Sequence, residues 1–153
     1  MTLVILGLPT FLYVVNPRAH VLTGAWVPGT PARSAAHFFQ EVFVERNYLK
    51  VFDHMDDASA ADEFVQTARD SFIDIPRIRR AEALPARGRN DQVLVLIHHV
   101  VRSRLGLERN AQALVLVERK GLVWKVASVV PEDSPEFRDL MGLERRFRLL
   151  EGL

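Results

Sequence analysis

The stretch QVLVLIHHVV, residues 92–101, decides the fold class. Its apolar residues follow a period of 2, the mark of a strand. Alternation places Val93, Val95, Ile97 and Val101 on one face and Leu94, Leu96 and Val100 on the other, so both faces are apolar. Two more strands follow closely, AQALVLVERK (111–120) and LVWKVASVV (122–130), with a turn at 106–110 and Gly121 in the tight connection between them. Upstream, RIRRAEAL (77–84) reads as a more polar edge strand, joined to the central one through the turn Gly88-Arg89-Asn90-Asp91. Strands this close in sequence pair antiparallel, because a parallel pair needs a long crossover.

Outward from the meander the period changes to that of helices. Residues 32–55 are expected to form one long helix, capped by Ser34. Its stripe is Phe38, Val42, Leu49 and Phe52, widened by Phe39, Phe43, Tyr48 and Met55. Asp57 or Ser59 opens a second helix through Phe72 that buries Ala61, Phe64, Val65, Ala68 and Phe72; Pro76 forbids its continuation. After the meander, Ser134 and Pro135 form a specific helix start. Phe137, Leu140, Met141, Phe147 and Leu150 give that last helix its apolar side, and Arg138, Arg145, Arg146 and Arg148 its basic one. The expected class is α+β, helices packed on an antiparallel sheet. A sheet apolar on both faces needs two covers. The first two helices supply one; the other falls to further strand curvature, the C-terminal helix, the N-terminal segment or a second chain.

Composition narrows the function classes. With 153 residues, 48% hydrophobic and 25% charged, the chain is long enough for a real core and excluded from intrinsic disorder. The absence of Cys removes a disulfide scaffold, a Cys zinc site and a cysteine nucleophile. Residues 1–31 hold a single charge, Arg18, whereas all 19 acidic residues lie further on. The run LVILGLPTFLYVV (3–15) spans about 20 Å as a helix, short of the roughly 20 residues of a bilayer crossing. Extension to Val27 gives the length but includes Pro17 and Arg18. A buried core element and a cleaved signal peptide compete with an anchor, and the lack of a basic residue before Arg18 opposes the signal peptide. The expected reading is an anchor, residues 1–31 with their linker, in which Leu3, Val4, Ile5, Leu6, Phe11, Leu12, Val14 and Val15 meet the membrane or an apolar partner. Arg18 and Arg33 then leave the body, residues 32–153, on the cytoplasmic or matrix side.

The order of elements resembles the nuclear transport factor 2-like superfamily of cystatin-like cone folds over about residues 33–131. The resemblance is carried by FFQEVFVERNYLKVFDHM (38–55) and by the closing hairpin ALVLVERKGLVWKVASVV (113–130), with Gly121, Trp124, Lys125 and Val126. It implies a curved antiparallel sheet wrapping the long helix. In enzymes of that superfamily a carboxylate and a His or Tyr in the cone serve as general base and polariser, which the resemblance assigns to Asp53 or His54 with His99. The N-terminal segment and the last helix depart from the family pattern.

Read as residues alone, the same groups have simpler uses. His98 and His99 are adjacent on a strand, point to opposite faces and cannot ligate one metal together. Asp53, Asp56 and Asp57 sit where the next helix needs a cap and first-turn charge. His37 and His20 carry no partner signature, and no metal or cofactor is expected. Seven Arg between 77 and 104 could meet an acidic partner or lipid surface or simply solvate an edge strand. The candidate contact residues are Arg77, Arg79, Arg80, Arg102, Arg104, Arg145 and Arg146. Nucleic acid is disfavoured by a net charge of +1 and by the lack of aromatics among these arginines. A phosphate loop, a G-x-S-x-G elbow and an H-E-x-x-H helix are absent. The expected function is a non-catalytic, membrane-associated accessory or scaffolding subunit of a complex, working through protein contacts. The alternatives are a small cone-fold isomerase, dehydratase or cyclase and a soluble homodimeric ligand-binding domain.

Overall fold

The computed structural model describes residues 30–70, 74–84 and 91–151. Most of the expected anchor, Phe72, and most of the turn at 88–91 lie outside these residues. Helix α1 (Pro31–Phe39) is followed by a π-turn (Gln40–Val44), a 3-10 turn (Tyr48–Lys50) and the short α2 (Val51–His54). Then come α3 (Ala58–Asp70), β1 (Asp74–Ala83), β2 (Gln92–Arg102), β3 (Glu108–Lys120), β4 (Val123–Pro131) and α4 (Pro135–Glu151). The four strands form one antiparallel sheet in the order β1-β2-β3-β4, the expected meander in the expected α+β class.

The single helix expected over 32–55 is instead broken. It starts one turn early, where Thr30 rather than Ser34 caps it: the Arg33 amide donates to Thr30 Oγ1 at 3.1 Å, with Pro31 at the first helical position. Regular winding ends at Phe39, and Arg46 takes a left-handed φ of 57°. The break resets the helical phase, which is why Phe38, Phe39 and Val42 are fully buried while Leu49 and Phe52 from the same expected stripe are exposed. In α3 the expected start holds, with Asp57 Oδ1 accepting from the amides of Ser59 (3.0 Å) and Ala60 (3.1 Å). Pro76 lies inside β1 rather than before it, on an edge strand that tolerates a missing donor.

The sheet's inner face packs on α1, α2 and α3. Val93, Val95 and Ile97 from β2, Ala113, Val115 and Val117 from β3, and Trp124 and Val126 from β4 enclose Phe38, Phe39, Val42 and Val51. The outer face carries a second, smaller core in which Leu84, Leu96, Leu114 and Val130 are capped by Phe137, Leu140 and Met141 of α4. The C-terminal helix is therefore a cover for the second apolar face. Its start is the expected one, Ser134 Oγ accepting from the Phe137 amide at 3.2 Å. Leu150, expected on its packing side, is exposed instead, as are Leu143 and Leu149. No helix among the described residues is long and apolar enough to cross a membrane.

Candidate functional site

Two interruptions of α1 build the most concentrated polar cluster. The π-turn, closed by the Glu45 amide on the Gln40 carbonyl at 2.9 Å, carries Glu41, and such turns recur at functional sites. Beyond the left-handed Arg46 the chain doubles back through the 3-10 turn, so that α2 returns His54 to the side of α1. His54 Nε2 donates to Glu41 Oε2 at 2.6 Å, a short charge-assisted bond, and His37 Nε2 stands 3.4 Å from Glu41 Oε1. The rings of His37 and His54 meet edge to face at 5.3 Å, and Phe38 holds the other flank of His54 at 5.5 Å. The hydrogen bond from His54, with charge from His37, His54 and Lys50, keeps the Glu41 carboxyl below the usual carboxylate range against the opposing effect of its burial. The sequence contains one half of this signal, a His and a Glu four apart on a helix. The other half, His54, is brought in by a chain reversal that periodicity over 32–55 hides.

The trio of Asp53, His54 and His99 is not gathered. Asp53 is exposed, accepts from Lys50 Nζ at 3.2 Å, and raises the Lys50 pKa by that bond and its charge. Its backbone carbonyl accepts from Lys125 Nζ at 2.8 Å, which fastens the closing hairpin to the end of α2. His54 faces Glu41 and Phe38, whereas His99 stacks on Phe39 at 5.0 Å. Successive helical residues point about 100° apart, so Phe38 and Phe39 hold the two imidazoles on different sides of α1. Asp53 and His54 are also missing from the charged groups that bear on His99, which are Glu132, Arg109 and His98.

His99 lies in the wall of a cleft of about 350 Å³ with Phe39, Phe43 and Ile75 on its apolar side and Arg109 and Glu132 on its charged side, and its Nδ1 has no hydrogen-bond partner among the described residues. Burial pushes its pKa down from the ordinary 6.5. A depressed pKa means that the unfolded chain takes up a proton that the fold refuses, so this residue costs stability as pH falls below about 6.5, until the lowered folded value is reached. Denaturant melts of wild type and His99→Leu at about pH 7.5 and about pH 5 check this, the variant being expected to lose less stability on acidification. Equal losses would mean that His99 does not titrate in this way.

The outer sheet face explains much of the arginine cluster. Register shifts in β1 leave Arg77 opposite Val100 and Arg80 opposite His98, with Arg79 as the extra residue between Ile78 and Arg80. Simple alternation would put Arg77 and Arg79 on one face of the strand, and the bulge breaks that pattern. Arg77 Nη2 and Arg102 Nη2 converge on Glu108 at 2.9 and 3.2 Å and hold its carboxyl low. Arg80 binds Glu82 at 3.1 Å and lies 3.3 Å from His98. In α4 the buried Glu144 accepts from Arg148 Nε at 3.0 Å, which raises the Arg148 pKa, and Arg148 reaches Glu82 at 3.6 Å. Arg77 and Arg102 therefore spend their charge on Glu108 of β3, and Arg80 on Glu82 of its own strand. Arg79, Arg104, Arg145 and Arg146 are exposed.

No family model matches the chain, and no curated protein matches it. Among solved structures, an Ntf2 like protein involved in plasmid conjugation is similar at 16% identity with a TM-score of 0.39, over 68% of this chain and 38% of that one. The chain thus spans well under half of that protein's length.

Proposed function

We propose that the protein is a non-catalytic accessory subunit, held at a membrane or in a membrane complex by its apolar N-terminal residues 3–27 and docking a protein partner through the outer flank of α4. The observation that carries this reading is on α4 itself. Phe137, Leu140 and Met141 are used on the sheet, yet Leu143 and Leu150 remain 51% and 88% exposed. Seven residues apart, these two share one side of the helix. Arg146, exposed and three and four residues from them, stands beside them, whereas Arg145 points to the groove between α4 and the sheet. Exposed leucines rimmed by arginine complement an apolar ridge with acidic borders on a partner protein. The division of Asp53 and His54 from His99 speaks for the same reading over the cone-fold enzyme.

The test places a photo-cross-linking residue at position 143 or 150 of the full chain in its native cells, followed by carbonate extraction of membranes. One discrete protein adduct is expected at both positions, lost on Arg146→Glu and retained in the membrane pellet. Adducts to lipid alone would make the flank a membrane surface and overturn the docking reading. Release of intact chain by carbonate would overturn the anchor.

A further inference from the structure

We propose that His37, Glu41 and His54 form a binding site for a divalent transition-metal ion of the zinc class. Their ligand atoms all lie within 4.8 Å of one another, drawn from two helical segments rather than from one run of acidic surface. The donor set is two imidazoles and one carboxylate, which suits zinc, cobalt, nickel or ferrous ions and not magnesium or calcium, whose sites are built from oxygen. Tetrahedral bonds of roughly 2.0 Å separate neighbouring ligand atoms by about 3.3 Å. The His37–Glu41 distance of 3.4 Å already matches that edge, and the 2.6 Å His54–Glu41 contact is the distance of a proton-bridged pair. An ion entering the site replaces that proton: the His54 Nε2 lone pair and a Glu41 oxygen turn to the metal, and the ring keeps one proton on Nδ1, a second one, where the ring carries it, leaving to solvent.

The surroundings hold the ligands for this purpose. Glu41 and His54 are largely shielded, at 18% and 14% side-chain exposure, while His37 is 65% exposed and opens the cluster to solvent. Phe38 fixes the plane of the His54 ring, which a ligand needs more than a surface ion pair does. Three protein ligands leave a fourth position for water or an exogenous group on the His37 side. His37 also lines the groove between α1 and β1 that contains Arg33, Arg79 and Arg80.

The full chain, stripped with a chelator, is titrated calorimetrically with Zn²⁺ alone, with Mg²⁺ as control, and with Co²⁺ followed by visible absorption. Saturable binding of one Zn²⁺ per chain, no response to Mg²⁺ and intense tetrahedral cobalt bands are expected. His37→Ala removes an exposed ligand and should leave the melting temperature of the metal-free protein unchanged while weakening Zn²⁺ at least tenfold. Glu41→Gln should abolish the cobalt bands, and His98→Ala, elsewhere on the sheet, should change nothing. Zn²⁺ binding that is absent, or that is undiminished in both His37→Ala and Glu41→Gln, overturns the proposal.

Discussion

Replacing Phe38 by Ala is expected to cost about 3–5 kcal/mol of folding stability, the usual range for removing a fully buried aromatic ring. Phe38 is 0% exposed and sits where every part of the helical layer converges. Its ring lies 6.2 Å from Phe43 on the π-turn, 5.7 Å from Phe64 on α3 and 5.5 Å from His54 on α2. A helix interrupted twice has few hydrogen bonds to hold its pieces in line, so their alignment falls to this aromatic packing. For a chain of this size each kcal/mol moves the melting temperature by roughly 2–4 °C, which puts the expected drop near 10 °C or more. Circular dichroism melts of Phe38→Ala beside Phe52→Ala test it. Phe52 is 43% exposed and is expected to shift far less. Similar shifts for the two would mean that the break does not rely on the aromatic cluster.

That comparison also marks how far the fold was legible in the sequence. The meander could be read because its information is local: period-2 runs, Gly121 at a positive φ of 64° and Ser134 before Pro135 are each sufficient within a few residues. His98 and His99 fell on opposite faces as the pleat requires, with His98 beside Arg80 and His99 against Phe39. The break in the long helix was not legible, since ERN (45–47) contains neither Gly nor Pro, and the apolar spacing of 49–55 continues across it. Bulges escape sequence reading for a similar reason: in β1 the inner residues Ile75, Ile78, Ala81 and Ala83 are spaced 3, 3 and 2 apart, which no alternation rule gives. The His37–Glu41–His54 cluster depends on that break, so it was hidden with it. The arginines were visible as a cluster, but the carboxylate that satisfies Arg77 and Arg102 comes from Glu108, two strands from Arg77 and on the strand beside Arg102.

A chain ending at Asp133, without α4, is expected to lose its stable monomeric fold altogether. The outer-face residues Leu84, Leu96, Leu114 and Val130 are at most 5% exposed, and the apolar side chains that the described structure places over them are Phe137, Leu140, Met141 and their flank Leu94. Returning four such side chains to water costs about 1.5–3 kcal/mol each, or roughly 6–12 kcal/mol as an upper estimate. That is comparable with the whole stability of a domain, about 5–15 kcal/mol. The truncation also takes Arg148 from Glu82, which keeps Arg80 as its partner. An antiparallel sheet left with one bare apolar face has two outcomes open to it, unfolding or association through that face. Light scattering and a thermal melt distinguish both from a monomer with native cooperativity. Phe137→Ala, which keeps the helix, is expected to produce a milder loss of about 3 kcal/mol on the same scale. A truncated chain that stays monomeric and melts like the full one would show that the outer face needs no cover from α4, and the flank carrying Leu143 and Leu150 would then have no fixed platform from which to dock.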